Sequence, residues 1–263
     1  MREGPTTYEQ RAEEWFSDPV RVPGYVAAHV GSSPESYIFN RRIELVLQEL
    51  ADHRGGTLVD MGCGPGMLLA ALGRSRPGDF ETLGIDISPS MVEEATRQVA
   101  EHREARALVG RAEELPLPDG VADVVLALGI LELADPHRVL AEAARVLRPD
   151  GTAVLSMVSP SSPARLWDQR VYEPLRRRRG WAWVDGWDPA EIPWSEPDLM
   201  RTLHLHGLRP LRVRHFVYDP VWSPFDRRLP GFRARAMRRL EWLAGTPLRR
   251  LGSYFLVRAR KAS

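Results

Sequence analysis

The chain has 263 residues, 43% of them hydrophobic, and a formal net charge of +1, which suits one elaborated domain with a sizeable core and excludes a disordered chain. Its single cysteine, Cys63, excludes an internal disulfide and any zinc site needing several thiolates. No stretch has the order of a signal peptide and none reaches the ~18–20 apolar residues that span a bilayer, so the chain reads as cytoplasmic.

Residues 1–34 are polar but carry Tyr8, Trp15, Phe16 and Tyr25. Ser33 and Pro34 then start a helix over 34–52, with Ile43, Val46, Leu47 and Leu50 at helical spacing. From there strand and helix alternate. Strands are predicted at 57–61, 81–86, Ala107–Gly110, Ala122–Leu128 and Thr152–Val158. Helices are predicted at 66–74, from Ser88 to about His102, and over Pro136–Leu147. This order implies a doubly wound parallel sheet with right-handed crossovers. The later part is less regular: a helix capped by Ser195, a strand at Leu208–Tyr218, a basic helix at 226–244 and a last strand at Ser253–Arg260.

Charge divides the chain near Pro160. Residues 1–160 hold 15 arginines against 25 acidic residues. Residues 161–263 hold 21 basic residues against 10 acidic ones, and seven of the eight tryptophans. The expected regions are a helical flap at 1–54, a ligand-binding core at 55–160, and a lid with closing strands at 161–263.

The first strand runs through Asp60 into Gly62-Cys63-Gly64-Pro65-Gly66, and a helix follows. Glycine tolerates positive φ and lets backbone approach a ligand, while the helix start presents unpaired N–H groups. A dinucleotide fingerprint would need glycine at position 67, where this chain has Met67. Asp86 ends the second strand, placed to accept bonds from both hydroxyls of a ribose lying across the strand tips. It supports a nucleoside without choosing one.

Four motifs in order carry a resemblance. Asp60-x-Gly62-x-Gly64-x-Gly66 resembles the first motif of class I S-adenosylmethionine-dependent methyltransferases, and Gly84-Ile85-Asp86-Ile87-Ser88-Pro89-Ser90-Met91 the second. Gly110-Arg111-Ala112-Glu113 is similar to their adenine loop, although the family often has Asp where Arg111 stands. Arg148-Pro149-Asp150-Gly151 is similar to the turn before their fifth strand. The chain looks nearest the quinone-biosynthesis-like, small-molecule branch.

The resemblance implies a Rossmann-like seven-stranded sheet whose last strand runs antiparallel. It implies S-adenosylmethionine bound by Asp60, Gly62, Cys63, Gly64, Gly66, Asp86, Ile87, Met91, Ala112, Glu113 and Leu128. Tyr8 and an arginine of the first helix, Arg41 or Arg42, would hold the methionine carboxylate, with Arg41 preferred. The acceptor is expected to be a small molecule. Candidate catalytic groups are Glu132, which follows the fourth strand, and His29 in the flap. No metal cluster is readable, and no nucleic-acid-binding module is recognisable.

In 226–244, Phe232, Ala236, Leu240 and Leu243 share one helical face and arginines cover the rest, a pattern that suits a pocket cap or peripheral membrane contact. Two rival functions stay open: a nicotinamide-dependent oxidoreductase and a non-catalytic nucleoside-binding module.

Overall fold

The computed structural model describes residues 14, 16–18, 20–180, 194–222, 224–226 and 228–263. Tyr8, Trp15, Trp181, Trp183 and Trp187 lie outside them.

Two helices come first, α1 (Val22–His29) and α2 (Pro34–Glu49). The alternating core follows: β1 (Thr57–Met61), α3 (Met67–Ser75), β2 (Glu81–Asp86), α4 (Pro89–Gln98), β3 (Ala105–Val109), β4 (Ala122–Leu128), α5 (Pro136–Val146) and β5 (Leu147–Val158). After β5 come α6 (Pro163–Trp167), a π turn (Asp168–Tyr172) and α7 (Glu173–Arg178). The closing elements are α8 (Glu196–Leu205), β6 (Leu208–Phe216), α9 (Pro230–Leu240), two 3-10 turns and β7 (Tyr254–Lys261).

The helix starts follow the side chains read from sequence. Ser33, Ser88, Asp135 and Ser195 each accept a backbone N–H of the first turn, and each helix has a proline in that turn. At Ser195 the bond is reciprocal, because Asp198 accepts the Ser195 N–H.

The strands form one seven-stranded sheet in the order β3-β2-β1-β4-β5-β7-β6. The first five pair in parallel, and β7 runs antiparallel to both β5 and β6. Side chains alternate across it. On one face Val59, Met61, Val125, Ala127, Leu155 and Val257 pack under α5 and α8. On the other, Leu58, Val124, Leu126, Val154 and Leu256 pack under α2, α3 and α9. Central β4 is buried at nearly every position, as a strand covered on both faces must be.

Several boundaries differ from the sequence reading. The helix after Ser88 stops at Gln98, and β3 starts at Ala105. β5 begins at Leu147 and carries a register shift against β4. The basic helix starts only at Pro230, whose ring lacks the N–H a helix interior needs, and it tightens into a 3-10 turn after Leu240. Its buried side chains are Ala234 and Met237; Phe232 points out and is 54% exposed. Arg233 turns inward instead, because Asp219 accepts both its Nε (2.8 Å) and Nη2 (2.6 Å).

Gly66 shows how tightly the core is built. Its φ is +75°, and a Cβ there would stand 2.7 Å from the Cα of Ala95 in α4. Gly66→Ala should therefore lower unfolding free energy by about 2–5 kcal/mol, from left-handed strain plus overpacking. Urea denaturation reads it directly, and a loss below about 1 kcal/mol would refute the close approach.

Candidate functional site

The glycine turn, the tips of β2 and β4 and the loop after β3 close on one cavity. Gly62 and Gly64 have φ of +74° and +52°, which an L side chain rarely adopts. Nothing stands within 4 Å of where a Gly64 Cβ would be, so backbone faces open space there. The turn is tied to β2, since the N–H groups of Gly62 and Cys63 both donate to the Ile85 carbonyl, at 2.7 and 3.1 Å.

Asp86 is fixed from two sides. The Gly64 N–H donates to Oδ2 at 2.8 Å and the Ser88 N–H to Oδ1 at 3.0 Å. Burial nevertheless pushes its carboxyl above the usual range, and those two donors offset part of the push. The carboxylate lines the cavity with its orientation already set. Asp86→Ala should weaken binding of S-adenosylhomocysteine by tens-fold or more, at about 1.5–3 kcal/mol per charged hydrogen bond. Calorimetric titration tests this; unchanged affinity would place the ribose elsewhere.

Among the residues expected to bind a cofactor, the structure brings together Gly62, Gly64, Asp86, Ile87, Met91, Ala112, Glu113 and Leu128 on this cavity wall. Phe16, Tyr25, Gly110, Arg111, Gly129, Ile130 and Leu133 join them. Four others stand apart. Gly66 packs on Ala95. Cys63 is 7% exposed, with Sγ lying where a side chain on Gly84 would be. Asp60 is 3% exposed beneath the turn, and its carboxyl is pushed up to about 7 by burial and then by the Asp86 charge. Arg41 faces the C-terminal lid, with Nε 3.0 Å from Glu241 and Nη1 3.0 Å from Glu44. Tyr8 lies outside the described residues.

Arg42, the alternative that the sequence left beside Arg41, faces a cavity instead. It lines a second cavity that shares Phe16, Tyr25, Leu128, Gly129 and Leu133 with the first. Its guanidinium lies 3.3 Å from where a Gly129 Cβ would stand and 5.5 Å from the Tyr254 ring centroid. Its Nε is buried without a hydrogen-bond partner, and among the described residues no carboxylate pairs with it. A half-buried guanidinium that closes no ion pair, although Glu132 in the same cavity feels its charge, keeps donors to offer an incoming carboxylate.

Both catalytic candidates line this second cavity. Glu132 accepts the Val158 N–H on Oε1 at 2.6 Å, while Oε2 is buried and unpartnered. Burial raises its pKa; the Val158 N–H and the Arg42 charge pull the other way. His29 Nδ1 lies 2.7 Å from the Tyr25 carbonyl, which can only accept, so Nδ1 carries the proton and Nε2 is the ring's free acceptor. Burial depresses its pKa below 6.5. The ring packs between Tyr25 (4.2 Å between centroids) and Phe39 (5.1 Å). Phe39 was not singled out from sequence and Tyr25 only as an aromatic of the flap, but Tyr25 and His29 stand four residues apart on α1 and so share its face. His204 and His206 belong to α8 and its cap.

Comparison with known proteins gives the chain methyltransferase relatives. Residues 59–155 match the methyltransferase-domain family. The chain is 33% identical over 102 residues to the demethylmenaquinone methyltransferase of Bacillus licheniformis, covering 38% of this chain and 44% of that one. It is 34% identical over 173 residues to the nocamycin O-methyltransferase of Saccharothrix syringae, covering 64% and 59%. The chain thus spans about half the length of these curated relatives. The crystal structure of the [4+2]-cyclase SpnF shares the fold, with a TM-score of 0.63 and 21% identity over 97% of this chain and 96% of that one.

Proposed function

We propose that the chain, whose residues 59–155 match a methyltransferase domain, moves a methyl group from S-adenosylmethionine to a small-molecule acceptor. The observation that carries this reading is the pairing of two cavities across Tyr25 and Leu128. One is walled by the glycine turn and Asp86, and the other holds Arg42, which closes no ion pair among the described residues, beside His29 and Glu132.

Asp86 takes the ribose hydroxyls, and Ile87, Met91, Ala112 and Glu113 bracket the base. Arg42 receives the methionine carboxylate. When bound, S-adenosylmethionine supplies a methyl group already activated by its sulfonium. The protein's work is then orientation, which is worth roughly 7–11 kcal/mol, against about 3–5 kcal/mol for a general base. Phe16, Ile38, Phe39, Leu133 and Tyr254 give the acceptor an apolar, partly aromatic berth. His29 enters the reaction neutral and takes the acceptor's proton on Nε2. Glu132, pinned by Val158, orients a donor of the acceptor with its second oxygen.

The decisive experiment incubates the protein with methyl-labelled S-adenosylmethionine and a deproteinised extract of the source cells, then partitions the products between water and organic solvent. Label in a new small molecule supports the proposal, and its phase identifies the acceptor as apolar or polar. Binding of S-adenosylhomocysteine with no transfer would leave a nucleoside-binding module. Binding of NADH in its place would restore the oxidoreductase.

A further inference from the structure

No helix among the described residues is long and apolar enough to cross a membrane. One stretch of the exposed chain nevertheless carries the two chemistries a bilayer face recognises. Between Phe225 and Leu251, six large apolar side chains stand in water: Phe225, Leu229, Phe232, Trp242, Leu248 and Leu251, each 41–64% exposed. A folded monomer does not ordinarily leave so many large apolar groups exposed in one short stretch. The same stretch holds eight arginines and only two acidic residues, Asp226 and Glu241. Glu241 is already committed to Arg41 and to the Val217 N–H.

Helix α9 sorts these groups by face. Ala234 and Met237 point into the core. At 100° per residue, Phe232, Arg235 and Arg239 fall together on the opposite side, and all three are exposed. Arg235 and Arg239 pair with no carboxylate among the described residues. Leu248, Arg249, Arg250 and Leu251 continue the same mixture through the second 3-10 turn.

We propose that this surface docks the protein on an anionic lipid bilayer, with Phe232 and Trp242 entering the interface and Arg235 and Arg239 meeting lipid phosphates. The charge favours an anionic partner, and the exposed aromatic and leucine side chains favour a lipid interface over a nucleic-acid backbone. Docking has a consequence for the site. Arg233, on the inner side of α9, lines a cavity with Trp222, Asp219 and Tyr254, and Tyr254 also lines the cavity that holds His29 and Glu132. A lipid-soluble acceptor would then reach the site from the membrane; that corollary rests on the proposed methyl transfer, whereas the docking itself does not.

The test is cosedimentation of the full chain, without cofactor, with vesicles of phosphatidylcholine alone and of phosphatidylcholine mixed equally with phosphatidylglycerol. Binding to the mixed vesicles alone, weakening with salt, is the expected result. The double variant Arg235→Gln, Arg239→Gln should lose about thirtyfold in partitioning, from roughly one tenfold per 1.4 kcal/mol and ~1 kcal/mol per arginine. Phe232→Ser with Trp242→Ser should weaken it at every salt concentration. These four residues are exposed, so S-adenosylhomocysteine binding by each variant serves as the check on folding. No binding to mixed vesicles, or binding that neither double variant reduces, overturns the proposal. So does binding to duplex DNA that the arginine pair abolishes and the aromatic pair leaves intact.

Discussion

Arg42→Met should cut affinity for S-adenosylhomocysteine about a hundredfold or more, while Arg41→Met leaves it within about threefold, at about 1.5–3 kcal/mol for each hydrogen bond to a charged group. The contrast follows from where two adjacent side chains point. Arg41 is spent on Glu241 and Glu44, and its loss would weaken the seam between α2 and the 3-10 turn at Glu241. The urea midpoint should therefore fall for Arg41→Met. Arg42 makes no ion pair among the described residues, its Nε is buried without a partner, and its charge bears on Tyr25, His29 and Glu132. Methionine keeps the length and apolar stem of that side chain and removes only the charge and donors. Equal affinity for the two variants in calorimetric titration would show that the carboxylate is held elsewhere.

His29→Gln should lower kcat by about 10²–10⁴-fold with little change in KM for S-adenosylmethionine, the range expected for loss of a positioned base. The pH profile separates this from a structural effect. Burial holds the His29 pKa below 6.5, with the Arg42 charge acting in the same direction and the Tyr25 carbonyl opposing it. The neutral, proton-accepting form therefore persists at pH 6.5 and is lost only as pH falls through the lowered value. Wild type should show an acid limb below pH 6.5, and His29→Gln should lack it. The same shift acts on stability: below pH 6.5 the unfolded chain takes up the proton first, so stability declines as pH falls toward the folded-state value. An acid limb that survives in His29→Gln would assign the base to another group, with Glu132 the next to test.

Much of this was legible in the sequence because local chemistry dictated it. The alternating apolar strands, the Ser-Pro and Asp-Pro helix starts and the left-handed glycines of the turn are each settled by residues close together in the chain. Asp86 was legible for the same reason, as both its donors belong to the two turns that flank the strand tips. The choice between Arg41 and Arg42 was not local, since neighbours on a helix point 100° apart and the packing face decides. A signal existed. Ile38, Arg42, Leu45 and Glu49 follow one another at spacings of four, three and four, with Val46 beside Leu45, so Arg42 lies on the inward stripe and Arg41 beside it. Gly66 and Cys63 lie off the cavity wall for a different reason. Sequence shows that a position needs a small residue but not whether a ligand or a neighbouring helix takes the space, and here Ala95 and Gly84 take it. In the basic helix, Pro230 and the Arg233–Asp219 pair overrode the apolar period.

The position of β7 has a bearing on how the molecule is made. It is last of the strands in the chain yet lies between β5 and β6. Until residues 254–261 leave the ribosome, β5 presents an open edge of unpaired N–H and C=O groups, and β6 has no neighbour at all. The parallel half can assemble early, around β1 and β4, whereas the final third must wait for a strand that slots in rather than adds on. A nascent chain stalled before Tyr254 would carry two unmatched edges together with its arginine-rich, apolar surface. Quality control should meet this protein mostly at that moment, and synonymous changes that slow translation just upstream of residue 254 should lower its soluble yield without altering a single contact in the finished fold.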